Sequence, residues 1–224
     1  FLASGDPIGK QGLIKLDSMG NIVKQVQYHS IFNPGNSEIY NLNLFEDIDS
    51  TIWAIGVCRK SAVQDYIQIT KFDANLDSLS KVAIGNVVYP KRPTRFTKLG
   101  ANKYLIAGYF SNEYQLNKDF RMGDFLIEVD SGCKVLSEYY TPATYKLGGM
   151  GDMLYEQQDS SYVAFGSDAY EIKDFTGQFG YVYYYPMVYK LTKNKQIAWK
   201  TKMGNGIYSQ GNRSLRIMKK KEKD

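Results

Sequence analysis

The residues of this chain that could do catalytic chemistry are carboxylates in segments of similar pattern: Glu46, Asp152 and Glu156. Two such groups hydrolyse a glycoside when they converge on one cavity, one as the acid and one as the nucleophile or base. The corresponding segment between them carries Arg95 and Lys98 instead, and Glu46, Lys98 and Glu156 align. Because basic residues interrupt the acidic set, the pattern favours rim charges or a structural ion pair. We predict no catalytic residue, with a carbohydrate-active hydrolase as the alternative.

Side chains that could bind a metal ion are few. His29 is the single histidine, so the usual imidazole-rich centres are excluded. The alternate spacing of Asp73, Asn75 and Asp77 resembles part of a calcium loop but lacks its central glycine and bidentate glutamate, and a hairpin turn explains it better. No glycine-rich phosphate loop occurs in a strand-to-helix setting. We therefore predict no metal and no cofactor.

Charge and cysteine content narrow the class of protein further. The net charge is +5, and much of it lies in the run 219–223, which predicts a solvated end and no nucleic-acid partner. Cys58 and Cys133 fall at non-equivalent positions, which favours two free thiols over a bridge. No apolar run approaches the roughly 18 residues of a membrane span. Since Phe1 follows no leader, we expect a processed or excerpted chain.

The elements that must position these side chains are repeated. Four apolar stretches end in a glycine, with glycine spacings of 51, 52 and 58 residues, and a second apolar stretch follows each one and breaks at a turn. The chain has 14% aromatic residues, which together with abundant Ile, Val and Thr favours strands. A unit of about 56 residues matches one propeller blade. The four glycines are Gly5, Gly56, Gly108 and Gly166.

Each unit reads as two hairpins. Counting back from the glycines, 37–56, 89–108 and 147–166 superpose without a gap, with apolar residues in register at Leu44, Phe96 and Leu154. This predicts a first strand near 39–46, 93–99 and 150–157, and a second strand that ends at the glycine. A second hairpin follows, such as 12–26, whose Asp, Asn, Ser and Gly residues are typical of tight turns.

The sequence therefore predicts an all-β fold, a β-propeller of four-stranded antiparallel blades with four blade equivalents in a single domain, 1–224. Setting Leu215 and Ile217 against Leu42 and Leu44 makes the C-terminus the first strand of the blade that the N-terminus completes. The result is either a closed four-bladed ring or part of a larger propeller. The predicted blade units are 213–224 plus 1–28, 37–86, 91–140 and 149–203.

The repeat resembles a known type. The segments GLIKLDSMGNIVKQ, DFLIEVDSGCKVLSE and VYKLTKNKQIAWKTK are similar to blade repeats of secreted and surface β-propeller proteins of Bacteroidota, in which an A-G element precedes an LIKLDSNGNIxWxK element. The tryptophan of that pattern occurs only at Trp199. The resemblance implies export to the cell envelope or beyond it and implies no particular activity.

The connections that vary in length point to a binding surface. In a meander, the connections between second and third strands and those between units emerge at one end of the sheets, where loops usually carry function. Aromatic rings there could stack on sugars or pack against peptides. We predict a non-catalytic binding or scaffold module for a protein or glycan partner, with a structural spacer as a further alternative. The candidate binding residues are Tyr114, Phe120, Arg121, Tyr170, Phe175 and Phe179.

Overall fold

The computed structural model describes residues 2–5, 11–32, 39–61, 64–85, 91–111, 122–141, 147–156, 158–172, 182–203 and 207–208. Within these ranges the regular structure is entirely strand, which confirms the predicted all-β class. The strands form four antiparallel sheets, each a simple meander in sequence order. The two-hairpin plan of each unit is therefore confirmed for the sheets that have four strands.

The sheets are named I to IV in chain order. Sheet I contains β1 (Leu2–Gly5), β2 (Gln11–Leu16) and β3 (Ile22–Gln27). Sheet II contains β4 (Ile39–Glu46), β5 (Ile52–Ser61), β6 (Gln64–Phe72) and β7 (Ser78–Ile84). Sheet III contains β8 (Lys91–Gly100), β9 (Lys103–Ser111), β10 (Met122–Val129) and β11 (Val135–Tyr140). Sheet IV contains β12 (Leu147–Glu156), β13 (Ser161–Ile172), β14 (Val182–Leu191) and β15 (Ile197–Lys202), and the short β16 (Ile207–Tyr208) also pairs with β14.

In sheets II, III and IV the repeated glycine lies beside a β-bulge and does not end its strand. The expectation that the second strand ends there is wrong, because β5, β9 and β13 continue for several residues beyond it. Opposite Gly108, the first strand of the sheet bulges between Pro93 and Arg95, and similar irregularities lie beside Gly56 and Gly166. A Cβ on Gly108 would lie 2.8 Å from Phe125 Cζ and closer still to the Arg92 carbonyl oxygen. Glycine is required because the bulge brings backbone against backbone.

The middle strands of sheets II and III are largely apolar in their central parts because both of their faces are buried. In β5, Trp53 and Ile55 pack toward sheet III, whereas Ile52 and Ala54 pack toward sheet I. Three apolar cores result, one between each pair of successive sheets, and we call them cores A (I and II), B (II and III) and C (III and IV). Each sheet is therefore held mainly by its neighbours in sequence.

The turns opposite the variable connections share one geometry. In three of them an aspartate side chain accepts hydrogen bonds from the backbone N–H groups two and four residues later, at Asp17, Asp73 and Asp130. The residue three positions after each aspartate has a positive φ. This residue is Gly20 in sheet I and Cys133 in sheet III. The Asp73 carboxylate is thus used as a hairpin cap, which agrees with the turn interpretation of this segment.

Sheet IV departs from the gapless repeat. Leu44 and Phe96 pack toward the preceding sheet, but in sheet IV Met153 fills core C and Leu154 pairs with Val163 on the opposite face. The alignment of Leu154 with Leu44 is therefore wrong by one residue. The cause is the connection between the first two strands: six residues separate paired Tyr155 and Tyr162, against five between Glu46 and Ile52, and Tyr162 and Ile52 both lie four residues before the repeated glycine. A slip of one residue reverses the face of every side chain on that strand.

Polar contacts repeat between successive sheets at the short-turn end. The Lys15 amine donates to the Ala74 carbonyl oxygen at 2.8 Å, and the Lys71 amine donates to the Ser131 carbonyl oxygen at 2.8 Å. Both lysines precede the turn aspartate by two positions, and both reach the same position in the turn of the next sheet. The equivalent residue of sheet III is Glu128, whose Oε1 lies 3.1 Å from Lys195 Nζ in the turn of sheet IV. We call these three contacts the inter-sheet clamps.

Candidate binding surface

The variable connections leave the strands at one end of the sheets, where the sequence predicts the binding residues. Tyr170 lies within β13. The other five, Tyr114, Phe120, Arg121, Phe175 and Phe179, lie outside the described residues. The connection between β5 and β6 is short, because the two strands stay paired as far as Ser61 and Gln64. The described residues of this end carry two aromatic–lysine clusters that sequence reasoning missed.

The Lys60 cluster comprises Phe32, Lys60 and Tyr66, which come from the β3–β4 connection, β5 and β6. The rings of Phe32 and Tyr66 lie 4.9 Å apart between centroids. Lys60 Nζ lies 5.6 Å from the centre of the Phe32 ring and 6.0 Å from that of Tyr66. Phe32 is 37% exposed and the adjacent Ile31 is 38% exposed. An exposed cation and apolar rings are therefore available together at this end.

Buried Gln68 fixes the backbone beneath this cluster. Its side chain is fully buried, its Oε1 accepts from the Ile31 N–H at 2.7 Å, and its Nε2 donates to the His29 carbonyl oxygen at 2.9 Å. Lys81 donates to the same carbonyl oxygen at 3.2 Å. The segment that presents Phe32 is thus ordered before any partner arrives, which lowers the entropic cost of binding. A glutamine between Ile67 and Ile69 in an apolar strand was the sequence signal for this role.

The Lys91 cluster lies at the same end of sheet III. Lys91 Nζ donates to Tyr140 Oη at 2.6 Å and lies 4.7 Å from the centre of that ring. Tyr140 Oη in turn donates to Glu138 Oε2 at 2.7 Å, and Phe110 packs edge-on against Tyr140 at 5.9 Å. Lys91 is 4% exposed, and this burial lowers its pKa, although Glu138 opposes the change. The cluster holds one exposed tyrosine ring, Tyr140, in a fixed position.

Glu46, Lys98 and Glu156 of the first strands lie at the opposite end of the sheets. Lys98 and Tyr104 of sheet III both bind the Asp47 carboxylate of sheet II, and Asp47 is 7% exposed. Burial opposes ionisation of Asp47, but its hydrogen bonds from Lys98 and Tyr104 prevail and lower the pKa. Lys98 therefore forms a structural ion pair between sheets. Glu46 is exposed and Glu156 is half-buried at the ends of their strands.

A second buried carboxylate, Glu128, joins sheets III and IV. It is 5% exposed and receives Lys103 at 2.8 Å, Lys195 at 3.1 Å and the Ser137 hydroxyl at 2.8 Å. Burial opposes its ionisation, but the hydrogen bonds from Lys103, Ser137 and Lys195 outweigh burial and lower the pKa to about 2. The network ties the turn of sheet IV to the face of sheet III.

The low pKa of Glu128 predicts acid sensitivity. A carboxylate with a folded-state pKa below its unfolded value of 4.5 stabilises the protein above that pH, and the contribution is lost as the pH falls toward 2. We expect the free energy of unfolding to fall by on the order of 3 kcal/mol through this group. Urea titrations from neutral pH to pH 2.5 should show the loss, and Glu128→Gln should flatten it. An equal acid dependence in both proteins would contradict the prediction.

The cysteines and the histidine, which the sequence offers as further reactive or metal-binding residues, all lie in the described part of the chain. Cys58 and Cys133 are both buried free thiols, Cys58 in core A and Cys133 in core B, as the free-thiol interpretation requires. His29 is half-buried, and its Nδ1 is buried without a hydrogen-bond partner. Among the described residues no cluster of His, Cys, Asp or Glu could hold a metal ion. Nor does any helix there have the length and apolar character needed to cross a bilayer.

Comparison with known proteins adds no relative to this picture. No protein-family model matches the chain, and a search of curated proteins found no significant match.

Proposed function

We propose that this chain is an exported, non-catalytic β-propeller module that binds a protein or glycan partner at the cell envelope or outside the cell. The partner would contact the end of the sheets that carries the variable connections. The aromatic–lysine clusters at that end are the observation that carries the proposal, because the Lys60 cluster presents the exposed Phe32 ring and a cation on a backbone fixed by a buried glutamine.

The radial arrangement of a propeller is supported by how the sheets succeed one another. The first strands of neighbouring sheets lie side by side, β4 against β8 and β8 against β12, with β1 near β4. The middle strands of sheets II and III have both faces in apolar cores, and the last strands β3 and β15 are largely exposed. Inner strands that converge and outer strands that face solvent are the pattern expected of blades around an axis.

A binding role accounts for the exposed rings better than a hydrolase would. A propeller glycosidase needs carboxylates that converge on one cavity. Here Lys98 is engaged in a buried ion pair with Asp47, and Glu46 and Glu156 lie at the short-turn end, away from the aromatic–lysine clusters. Aromatic residues such as Tyr and Trp are enriched at binding hot spots. The hydrolase therefore stays the less favoured alternative.

The proposal predicts that exposed residues of the Lys60 cluster carry binding energy. We expect Phe32→Ala with Lys60→Ala to weaken partner capture at least about thirtyfold, since truncated hot-spot residues typically cost 2 kcal/mol or more. The measurement is capture on a glycan array and pull-down from solubilised envelope proteins, followed by titration of the captured partner. A second variant with 112–121 and 173–181 shortened tests the predicted aromatic residues in the same assay.

The matched control is Met19→Ser, which changes a side chain that is 82% exposed at the opposite end of the sheets. It should leave capture unchanged. Capture that survives both cluster and loop variants, or that is lost equally in the Met19 variant, would remove this end of the sheets as the binding surface.

A further inference from the structure

The outer face of sheet IV repeats a pattern that is buried elsewhere in the molecule. Toward sheet III, sheet II presents Trp53 paired with Lys71, and Ile55 paired with Ile69, in core B. Toward sheet IV, sheet III presents Leu105 paired with Glu128, and Ala107 paired with Leu126, at core C. The outward face of sheet IV presents Val163 paired with Lys190, and Phe165 paired with Val188. The pairing register of this face and the types of its paired residues are therefore those of an inter-sheet interface.

This face is not covered as its counterparts are. Trp53, Ile55, Ile69, Leu105 and Leu126 are at most 1% exposed. Val163, Phe165 and Val188 are only half-buried, and Trp199, which pairs with Lys190, is 47% exposed. Contiguous apolar surface on a sheet face is characteristic of an interface.

The outward face of sheet I has the complementary pattern. Ile14 and Leu16 are half-buried, and Val23 beside them is 59% exposed. The residues equivalent to Leu16 in sheets II, III and IV are buried against the preceding sheet in cores A, B and C: Phe72, Val129 and Leu191. Sheet I therefore has the side chains for a preceding sheet, and sheet IV has those for a following one.

The inter-sheet clamps also indicate a contact between sheets IV and I. Lys15, Lys71 and Glu128 each contact the turn of the following sheet. Lys190 occupies the equivalent position in sheet IV, and its amine binds Asp159 of its own sheet at 2.8 Å, which leaves two of its three donors for another acceptor. The turn position reached at Ala74 and Ser131 corresponds to Ser18 in sheet I.

We propose that the outer faces of sheets IV and I of the same chain pack on each other as a fourth inter-sheet core, with the Lys190 amine donating to the Ser18 carbonyl oxygen. This packing rests on the radial arrangement proposed above. It makes the molecule a closed ring of four sheets and not part of a larger propeller. Head-to-tail packing between copies would bury the same faces, but it generates filaments unless it closes. Closure within one chain also has the advantage of a high effective concentration.

Cysteine cross-linking tests this contact. Ser18→Cys with Lys190→Cys is treated with a short bismaleimide, and Lys15→Cys with Ala74→Cys is the matched control because those positions already form a clamp. Native Cys58 and Cys133 stay in place, since burial raises the pKa of each thiol to about 11 and keeps them unreactive at neutral pH. We expect both pairs to link within the chain at comparable rates and the protein to remain monomeric by light scattering.

Each other result overturns the proposal. No link between positions 18 and 190, with the control linked, would mean that the ring does not close in this chain. Links between chains, with a mass that rises with concentration, would mean that a second copy covers the face. Failure of the control pair would contradict the stacking of sheets I and II, and with it the radial arrangement on which the ring depends. The partner-capture experiment addresses the other end of the sheets, so its failure is separate from all three.

Discussion

Replacing Gly108 with alanine is expected to lower the free energy of unfolding by about 3 kcal/mol or more. The added methyl would meet the backbone of Arg92 and the ring of Phe125. Phe125 is fully buried in core B, and the Arg92 carbonyl belongs to the bulged strand β8, so neither can move aside without disturbing the sheet. Urea-induced unfolding followed by tryptophan fluorescence measures the change, since Trp53 lies in the same core.

Two other glycines provide graded controls. Nothing lies within 4 Å of a Cβ placed on Gly100, so Gly100→Ala should change stability by less than about 0.5 kcal/mol. A Cβ on Gly123 would lie 2.7 Å from Phe110 Cε1, a side-chain atom at the end of the sheet, and should have an intermediate effect. Unfolding of Gly108→Ala and Gly100→Ala at the same urea concentration would contradict the close approach of the Arg92 backbone to Gly108.

Replacing Glu128 with alanine is expected to cost about 3 to 5 kcal/mol, because it leaves buried cationic and hydroxyl groups without their acceptor. The side chain of Lys195 is 12% exposed, so its charge cannot be fully solvated where it lies. Ser137 and Lys103 lose the same partner. The clamp between sheets III and IV would open, and thermal unfolding at neutral pH should show a large fall in Tm.

The control for this prediction is an exposed pair at another sheet boundary. Lys24 and Asp77 lie 2.7 Å apart with side chains 36% and 67% exposed, and Lys24→Ala should cost less than about 1 kcal/mol. Glu128→Gln keeps the shape and should be milder than Glu128→Ala. Equal effects of Glu128→Ala and Lys24→Ala would show that the Glu128 network adds nothing beyond a surface ion pair.

Much of the architecture follows from local patterns in the sequence. The alternation and turn residues of 12–26 are enough to predict a hairpin, because period-two burial and left-handed turn positions depend on neighbouring residues alone. The glycine repeat also located the same point in sheets II, III and IV. The sequence alone predicts a strand end at this glycine, because a bulge depends on pairing with the opposite strand, which the residues of one segment do not show.

The register of sheet IV and the binding surface required tertiary structure. One additional residue between the paired positions of the first two strands moves Leu154 to the other face, and sequence alignment without gaps cannot detect a change that only pairing reveals. The Lys60 cluster is formed by residues from three separate elements, and the Lys91 cluster by Lys91, Phe110 and Tyr140 from three more. Such contacts between distant residues are set by how the strands and connections pack, so no local pattern predicts them.

By itself, therefore, the sequence determined the strand content, the two-hairpin unit and the turn chemistry, which are properties of short segments. Tertiary structure alone decided which faces meet, where Glu128 and Asp47 find their cations, and which aromatic rings stay exposed. The physical reason is that burial and ion pairing arise between segments far apart in the sequence, so the surroundings of each strand depend on residues outside it.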